Sequence, residues 1–290
     1  MRPASDFPLV SILVRTVARM MVEGFDAADP ARASARAIAE EWSGDAMGES
    51  QPRPRGGYGP LLERLAASIL KRGGRLRLGS AVREVHWRRH RVEVLGEGFR
   101  FAARRAIVTL PLGVLQSGAV RFSPGLGKRE ALSGLACGPV IKAALRFPSA
   151  FWEKRYRDVA FFHCPQAAFP TFWTLLPARV PVLIGWAGGP KAERLAGRGP
   201  DALVGACLAS LRRLFGRVPA PDEICMHDWR ADPWASGAYS YVLVGGAGAR
   251  EALAQPLHGT LFFAGEAANL EGEAGTVAGA LQSGQRAARE

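Results

Sequence analysis

Cysteine is scarce in this chain, and what there is forms no motif. Cys137, Cys164, Cys207 and Cys225 are the four, and no two stand at C-x-x-C spacing. That spacing argues against a zinc site and a dithiol redox centre. The expectation is no metal, free buried thiols and a reducing, cytoplasmic location. Long apolar runs are also missing. No stretch reaches 18 uninterrupted apolar residues, so nothing reads as a membrane span and no membrane partner is expected. A short apolar run follows Phe7, but Arg15 and Arg19 come where a small-residue cleavage site would stand, which argues against a signal peptide. Lysine is rare: only Lys71, Lys128, Lys142, Lys154 and Lys191 occur, so the positive charge is carried by arginine. There is no internal repeat and no low-complexity tract.

A complete G-x-G-x-x-G turn is absent as well. The nearest match, at 246–251, has Glu251 in place of the third glycine, and Pro256 leaves little room for the helix that should follow. Glu266 does lie where a ribose-binding acid would stand, which makes this near match tempting. A self-contained NAD site is not expected from it.

What is present describes an ordinary globular protein. The chain has 290 residues, 48% hydrophobic and 22% charged. Such a composition excludes a mainly disordered chain, a coiled coil and a collagen-like one. The length suits one large or two intimate domains with a sizeable core. With 34 glycines and 20 prolines the chain is rich in loops. The net charge is +12. A balance of this kind suits nucleic acid, an acidic partner or an anionic cofactor. No nucleic-acid-reading motif accompanies it, so the plain reading is a solvated arginine-rich surface, with no nucleic-acid partner.

Apolar spacing sets out the elements. Val10, Leu13, Val14, Val17 and Met21 recur with helical period, predicting a helix over 8–22. A second helix is expected over 30–42, with Asp29 as its cap and Pro30 first. Residues 43–56 read as a loop. A strong helix is expected over 61–72, ending at Gly73 and Gly74. Strands are expected over 75–78, 81–87, 91–95, 99–102 and 106–110, the last an unbroken apolar run ending at Pro111. A loop and short helix occupy 124–138. More strands follow at 140–147, through 160–187 and at 224–229, with a helix at 201–215. A buried strand at 261–264 leads through a glycine-rich loop into a last helix at 276–289. The fold class is mixed α/β.

Four places could carry chemistry. Two apolar strands leave for turns at Thr109 to Pro111 and at Gly265 to Glu266, and open α/β sheets bind ligands beyond such ends. Free amides near Thr276 and Val277 could hold oxygens beside the Glu266 carboxylate. Glu266 as a plain helix-entry residue is the alternative. Lys142 lies in an almost wholly apolar run, so it either is buried as a base, Schiff-base former or water anchor, or points outward from an edge strand. Trp229, Trp234, Tyr239 and Tyr241 crowd one loop, which could wall a flat ring or simply anchor the loop.

Together these segments resemble the flavin-dependent amine oxidases, the family of monoamine oxidases, polyamine oxidases and lysine-specific histone demethylases. The matching pieces are GGYGPLLERLA, AVREV, IVTLPLGVL with RFSP beyond it, VIKAALRFPSAFW, WRADPWASGAYSY and FFAGEAANLEGEAGTVAGALQSGQRAA. They run in family order from residue 56 to the end. The resemblance implies FAD as cofactor and a small-molecule amine as substrate. It implies that the backbone of Val82 contacts the adenine, that Thr109 and Pro111 line the cofactor, and that Trp229 and Trp234 pack near the isoalloxazine. Gly265 and Glu266 would bind the phosphate–ribityl region, and Thr276 and Val277 the ribityl chain and pyrimidine edge. Lys142 would hold a water against the flavin N5, and Tyr239 would be one wall of the substrate cage.

The resemblance also has departures. The family's N-terminal dinucleotide-binding βαβ unit precedes everything matched, so the expectation is an incomplete FAD-binding domain joined to a substrate domain. FAD binding by the chain alone is then expected to be weak, with a separate chain or a longer reading frame supplying the rest. Ala238 stands where monoamine oxidases have a flavin-linked cysteine, so FAD is expected to be non-covalent. Thr276 stands where they have the second cage tyrosine, leaving a polyamine, a larger secondary amine or an amino-acid-like substrate open. The implied division is 1–55 and 121–245 for the substrate domain, and 56–120 and 246–290 for the FAD-binding segments. A related flavin desaturase, an amino-acid oxidase or a non-catalytic binding module are the alternatives.

Overall fold

A computed structural model of the protein describes residues 8–43 and 54–290. Most of the loop expected over 43–56 falls outside them. Alternation shapes the first sheet. In Val82–Arg88 the side chains of Val85 and Trp87 turn inward while His86 and Arg88 face solvent. This strand pairs antiparallel with Arg91–Gly96, which pairs with Phe99–Ala103, and Arg121–Ser123 joins parallel on the other side. Beneath lies a parallel pair, Ala106–Val108 with Leu261–Phe263. Its strands are the unbroken apolar runs, and Val108, Leu261 and Phe263 pack with Val85, Trp87 and Val92 in one cluster.

A second sheet has five strands in the order Glu223–Asp228, Val140–Arg146, Val182–Gly188, Thr171–Trp173 and Phe161–His163, all antiparallel. One face buries Ile141, Ala143, Leu145 and Leu183 against Leu203, Cys207 and Leu211 of the helix Pro200–Phe215. The other face carries Lys142. A short pair, Tyr239–Val242 with Leu135–Gly138, connects the two regions. The last helix, Val277–Arg289, has Thr276 as its cap, whose hydroxyl accepts from the Gly279 N–H.

Several expectations need correction. The second helix begins at Ala35, not Pro30. The Asp29 carboxylate accepts from Ala31 N in a tight turn, Ala33 bridges to Leu243, and Ser34 Oγ accepts from Ala37 N. The bridge holds the chain extended where helix was expected. Residues 75–78 form no strand: Leu78 is 92% exposed and no partner runs beside it. The near match at 246–251 opens only a six-residue helix, Ala249–Ala254. All four cysteines are free, but Cys225 is exposed on the sheet rather than buried. No described helix is long and apolar enough to cross a membrane.

Candidate functional site

Lys142 lies in the second strand of the five-stranded sheet, not on an edge. Its neighbours in register are Trp186 and His227. It is exposed on the open face, and its Nζ stands 5.9 Å from the centroid of Trp173. The burial that the apolar run allowed is therefore not what the strand adopts; the alternate face is buried instead.

The turn that closes the helix Pro8–Gly24 links this face to Tyr239. The Trp186 indole N–H donates to Gly24 O at 2.7 Å, and the Tyr239 hydroxyl donates to Phe25 O at 2.5 Å. Burial raises the Tyr239 phenol above its ordinary pKa, with Asp26 and Glu266 adding to the effect, so it stays a neutral donor. Asp26 lies in the same turn and is 9% exposed. Its Oδ1 accepts from the Trp42 indole at 3.2 Å, while its Oδ2 is enclosed without a partner. Burial pushes its pKa from 3.8 up to about 6, against the lowering effect of Trp42, and Glu41 raises it further.

That carboxyl has a measurable consequence. A raised acid favours the folded state while protonated, so its benefit is complete below about pH 4 and lost as pH rises through about 6. Asp26→Asn keeps the acceptor for Trp42 and removes the charge. The variant is expected to match the parent near pH 4 and exceed it by about 2 kcal/mol near pH 8. Calorimetric melting at both pH values checks this; a variant less stable at the higher pH would refute the assignment.

Glu266 holds the next part together. Its carboxylate accepts from Ser240 N at 3.1 Å, Ser240 Oγ at 2.7 Å and Gly275 N at 2.9 Å. Ser240 is next to Tyr239 and Gly275 next to Thr276, so one side chain ties the tyrosine strand to the start of the last helix. Behind it, Arg250 Nη1 donates to Ser240 Oγ at 2.6 Å, and its Nη2 to Glu41 Oε1 at 3.1 Å. The Glu266 carboxylate is thus engaged inside the protein, and what it leaves for a ligand is its backbone. The N–H groups of Glu266 and Ala267 open a 3-10 turn, those of Val277 and Ala278 open the last helix, and none has a partner among the described residues. Gly265, in a positive-φ conformation, exchanges two hydrogen bonds with the Ser283 hydroxyl.

Thr109 and Pro111 follow Val108, whose carbonyl accepts from Ala264 N, so the two strand ends lie side by side. Pro111 caps the helix Leu112–Ser117. A Cβ at Gly113 would stand 2.2 Å from Ser236 O, so the tryptophan-rich loop rests directly on this helix start. Trp229 N donates to Val140 O, and its ring meets His227 edge-on at 4.4 Å. Trp229 and Trp234 are 38% and 63% exposed, unusual for indoles with no partner ring to cover them. Val82 packs with Val108, Leu110 and Phe263 beneath the strand ends.

Direct contacts therefore join Lys142, Trp229, Tyr239, Glu266 and Thr276, with Thr109, Pro111 and Gly265 at neighbouring strand ends. Val82 is reached only through the apolar cluster, and Trp234 only through its loop. Sequence reasoning missed Trp173, Trp186, Asp26 and Arg250. Trp186 stands in a glycine-interrupted apolar run, a weak signal for a surface residue. Arg250 lay inside the discarded near match.

The donor set is suited to a flavin's ribityl–isoalloxazine half: two helix starts with free amides, polar backbone at paired strand ends and uncovered indoles. No glycine-rich pyrophosphate cradle stands among the described residues. Such a mixed α/β fold with this site defines an oxidoreductase of the flavin-dependent class. The family model "Flavin containing amine oxidoreductase" matches residues 6–290, and the chain belongs to that family. Its cofactor is FAD. Human lysine-specific histone demethylase 2 is 35% identical over 245 residues, covering 80% of this chain and 29% of that protein. An Arabidopsis thaliana lysine-specific histone demethylase 1 homolog 3 is 31% identical, covering 81% and 15%. The chain thus spans less than a third of these relatives. Among solved structures, cyclohexylamine oxidase from Brevibacterium oxydans IH-35A superposes with a TM-score of 0.77 at 24% identity, covering 95% of this chain and 63% of the other. Putrescine oxidase bound to putrescine gives 0.68 at 23%, covering 81% and 52%.

Proposed function

We propose that this chain carries the substrate wall and the ribityl side of an FAD-dependent amine oxidase site. The observation that supports it most is the unbroken chain of contacts from Lys142 through Trp186, the 24–26 turn and Tyr239 to Glu266 and Thr276. FAD, when bound non-covalently, accepts a hydride from the amine α-carbon, the resulting imine hydrolyses, and dioxygen is reduced to hydrogen peroxide. The protein's part is orientation and exclusion of water. Tyr239, held by Phe25 O, is one wall for the amine. Lys142 holds a water toward the flavin. Trp229 and Trp234 pack near the isoalloxazine, Thr109 and Pro111 line it, and the amides at Gly265, Glu266, Thr276 and Val277 receive the phosphate–ribityl and pyrimidine oxygens. Val82 offers its backbone to the adenine. Segments 56–120 and 246–290 act as the flavin side, and 1–55 and 121–245 as the substrate side.

The adenosine diphosphate side needs a glycine-rich cradle, which a separate chain would supply. A reducing, cytoplasmic setting goes with four free thiols. The test uses the full chain with FAD, alone and mixed with a candidate dinucleotide-binding partner. Lys142→Ala is expected to retain FAD while slowing anaerobic flavin reduction by roughly 100-fold, the scale of a positioned proton-handling group. Loss of FAD with an unchanged rate would overturn the role. Peroxide release from amines rather than amino acids separates the oxidase from an amino-acid oxidase, and desaturation without peroxide marks a desaturase. A colourless protein with a steep salt dependence of nucleic-acid binding would mark a binding module.

A further inference from the structure

Resting on the oxidase reading, we propose that the amine taken by this site carries a single neutral, ring-sized apolar substituent, and neither a second ammonium, a carboxylate nor a basic peptide. The open face of the five-stranded sheet forms the wall beside Lys142. In register across it stand Phe161, Trp173 and Ile184, then His163, Thr171, Trp186, Lys142 and His227. Trp173 and Trp186 lie 5.6 Å apart, and Phe161 continues the surface 6.2 Å from Trp173. Phe161 is 49% exposed, so this aromatic strip is uncovered. Trp186 is fixed by its bond to Gly24 O, which places the strip next to the turn that also holds Tyr239.

Charge decides what such a strip accepts. Aromatic faces attract cations as readily as apolar groups. Here the cation position over Trp173 is already taken by Lys142 Nζ. Partial burial holds His163 below its ordinary pKa, leaving it neutral at pH 7, and His227 is matched by Asp232 at 3.2 Å. No carboxylate stands on this face between Phe161 and Lys142. Glu223, at the far corner, is paired with Arg146 at 3.0 Å. Asp26, behind Tyr239, has Oδ1 bound to Trp42 and Oδ2 enclosed. Glu23 pairs with Arg19. A second ammonium would therefore meet Lys142 with no counter-charge, on a protein of net charge +12. A carboxylate would leave water for a face of indole and phenyl carbon. A neutral ring loses nothing and gains aromatic contact.

The experiment measures binding to the FAD-loaded full chain by calorimetry, with phenethylamine, putrescine, phenylalanine and a Lys/Arg-rich peptide as probes. Phenethylamine is expected to bind at least about tenfold tighter than the other three, the scale of one favourable ring contact with the strip. Trp173→Ala should abolish that preference, and Trp173→Phe should restore most of it. Equal or tighter binding of putrescine, phenylalanine or the peptide overturns the inference, as does binding of none of the four, or a preference unchanged in Trp173→Ala. Peroxide release is read in parallel. Polyamine oxidation would keep the oxidase reading while refuting this inference. Selective phenethylamine binding without flavin reduction would do the reverse.

Discussion

Replacing Arg250 with leucine is expected to cost about 3–5 kcal/mol of stability, the range for a buried ion pair that loses one partner. The Arg250 side chain is 10% exposed. It donates to Ser240 Oγ, Ser240 O and Glu41 Oε1, so three acceptors lose a charged donor at once. Glu41 already has a raised pKa, through burial against the lowering effect of Arg250. Without the guanidinium its pKa rises further. The folded variant then favours protonated Glu41, so the deficit should be largest near neutral pH and shrink as pH falls. Ser240 also loses the group that orients its hydroxyl toward Glu266, which loosens Tyr239. Urea unfolding of both proteins at pH 5 and pH 8 measures the effect. A deficit below about 1 kcal/mol, or one that grows in acid, would show that the network does not carry this load.

Gly279→Ala is the second large effect, and it acts on the site more directly. A Cβ there would lie 2.0 Å from Glu273 O and 3.2 Å from Asn269 Cγ. The nearer obstacle is backbone, which cannot rotate away as a long side chain would. The loop it belongs to is pinned: Asn269 Oδ1 accepts from Glu271 N and Glu273 N, and Asn269 Nδ2 donates to Gly279 O. The Thr276 hydroxyl donates to Glu273 O and accepts from Gly279 N. Making room for one methyl therefore displaces the cap of the last helix and the Gly275 contact with Glu266. Overpacking of this kind costs about 1–3 kcal/mol. FAD affinity should fall by roughly tenfold or more, the equivalent of about 1.4 kcal/mol at the amides of Val277 and Ala278. Thermal melting and quenching of flavin fluorescence test the two consequences separately. Unchanged values in both would mean that the loop has slack the contacts deny.

Much of the fold was legible because it is encoded locally. The runs ending at Val108 and Phe263 are continuous and apolar, as strands buried on both faces must be. The last helix announces itself through Thr276 and the glycines before it, and Thr276 does cap it. The helix Gly59–Lys71 ends at Gly73 and Gly74 as read. Where the reading failed, a distant partner had overruled a local signal. Pro30 suits a helix start, yet Ala33 is held by Leu243 far along the chain. Leu76 and Leu78 alternate like a strand, yet no strand comes alongside.

The candidate site divides in the same way. Residue types and their order in the chain determined that this protein belongs with the flavin-dependent amine oxidases, since Lys142, the tryptophan-rich loop and the turn at Glu266 stand in motifs that can be read without coordinates. Only the tertiary structure decided how those residues are used. It turned the Glu266 carboxylate inward onto Ser240 and Gly275, put Lys142 on an open face, and set Trp173 and Trp186 beside it. The reason is range. Helix and strand periodicity acts over a few neighbouring residues, whereas the partner of a side chain is chosen by sheet register and packing between segments tens to hundreds of residues apart, which no local pattern specifies.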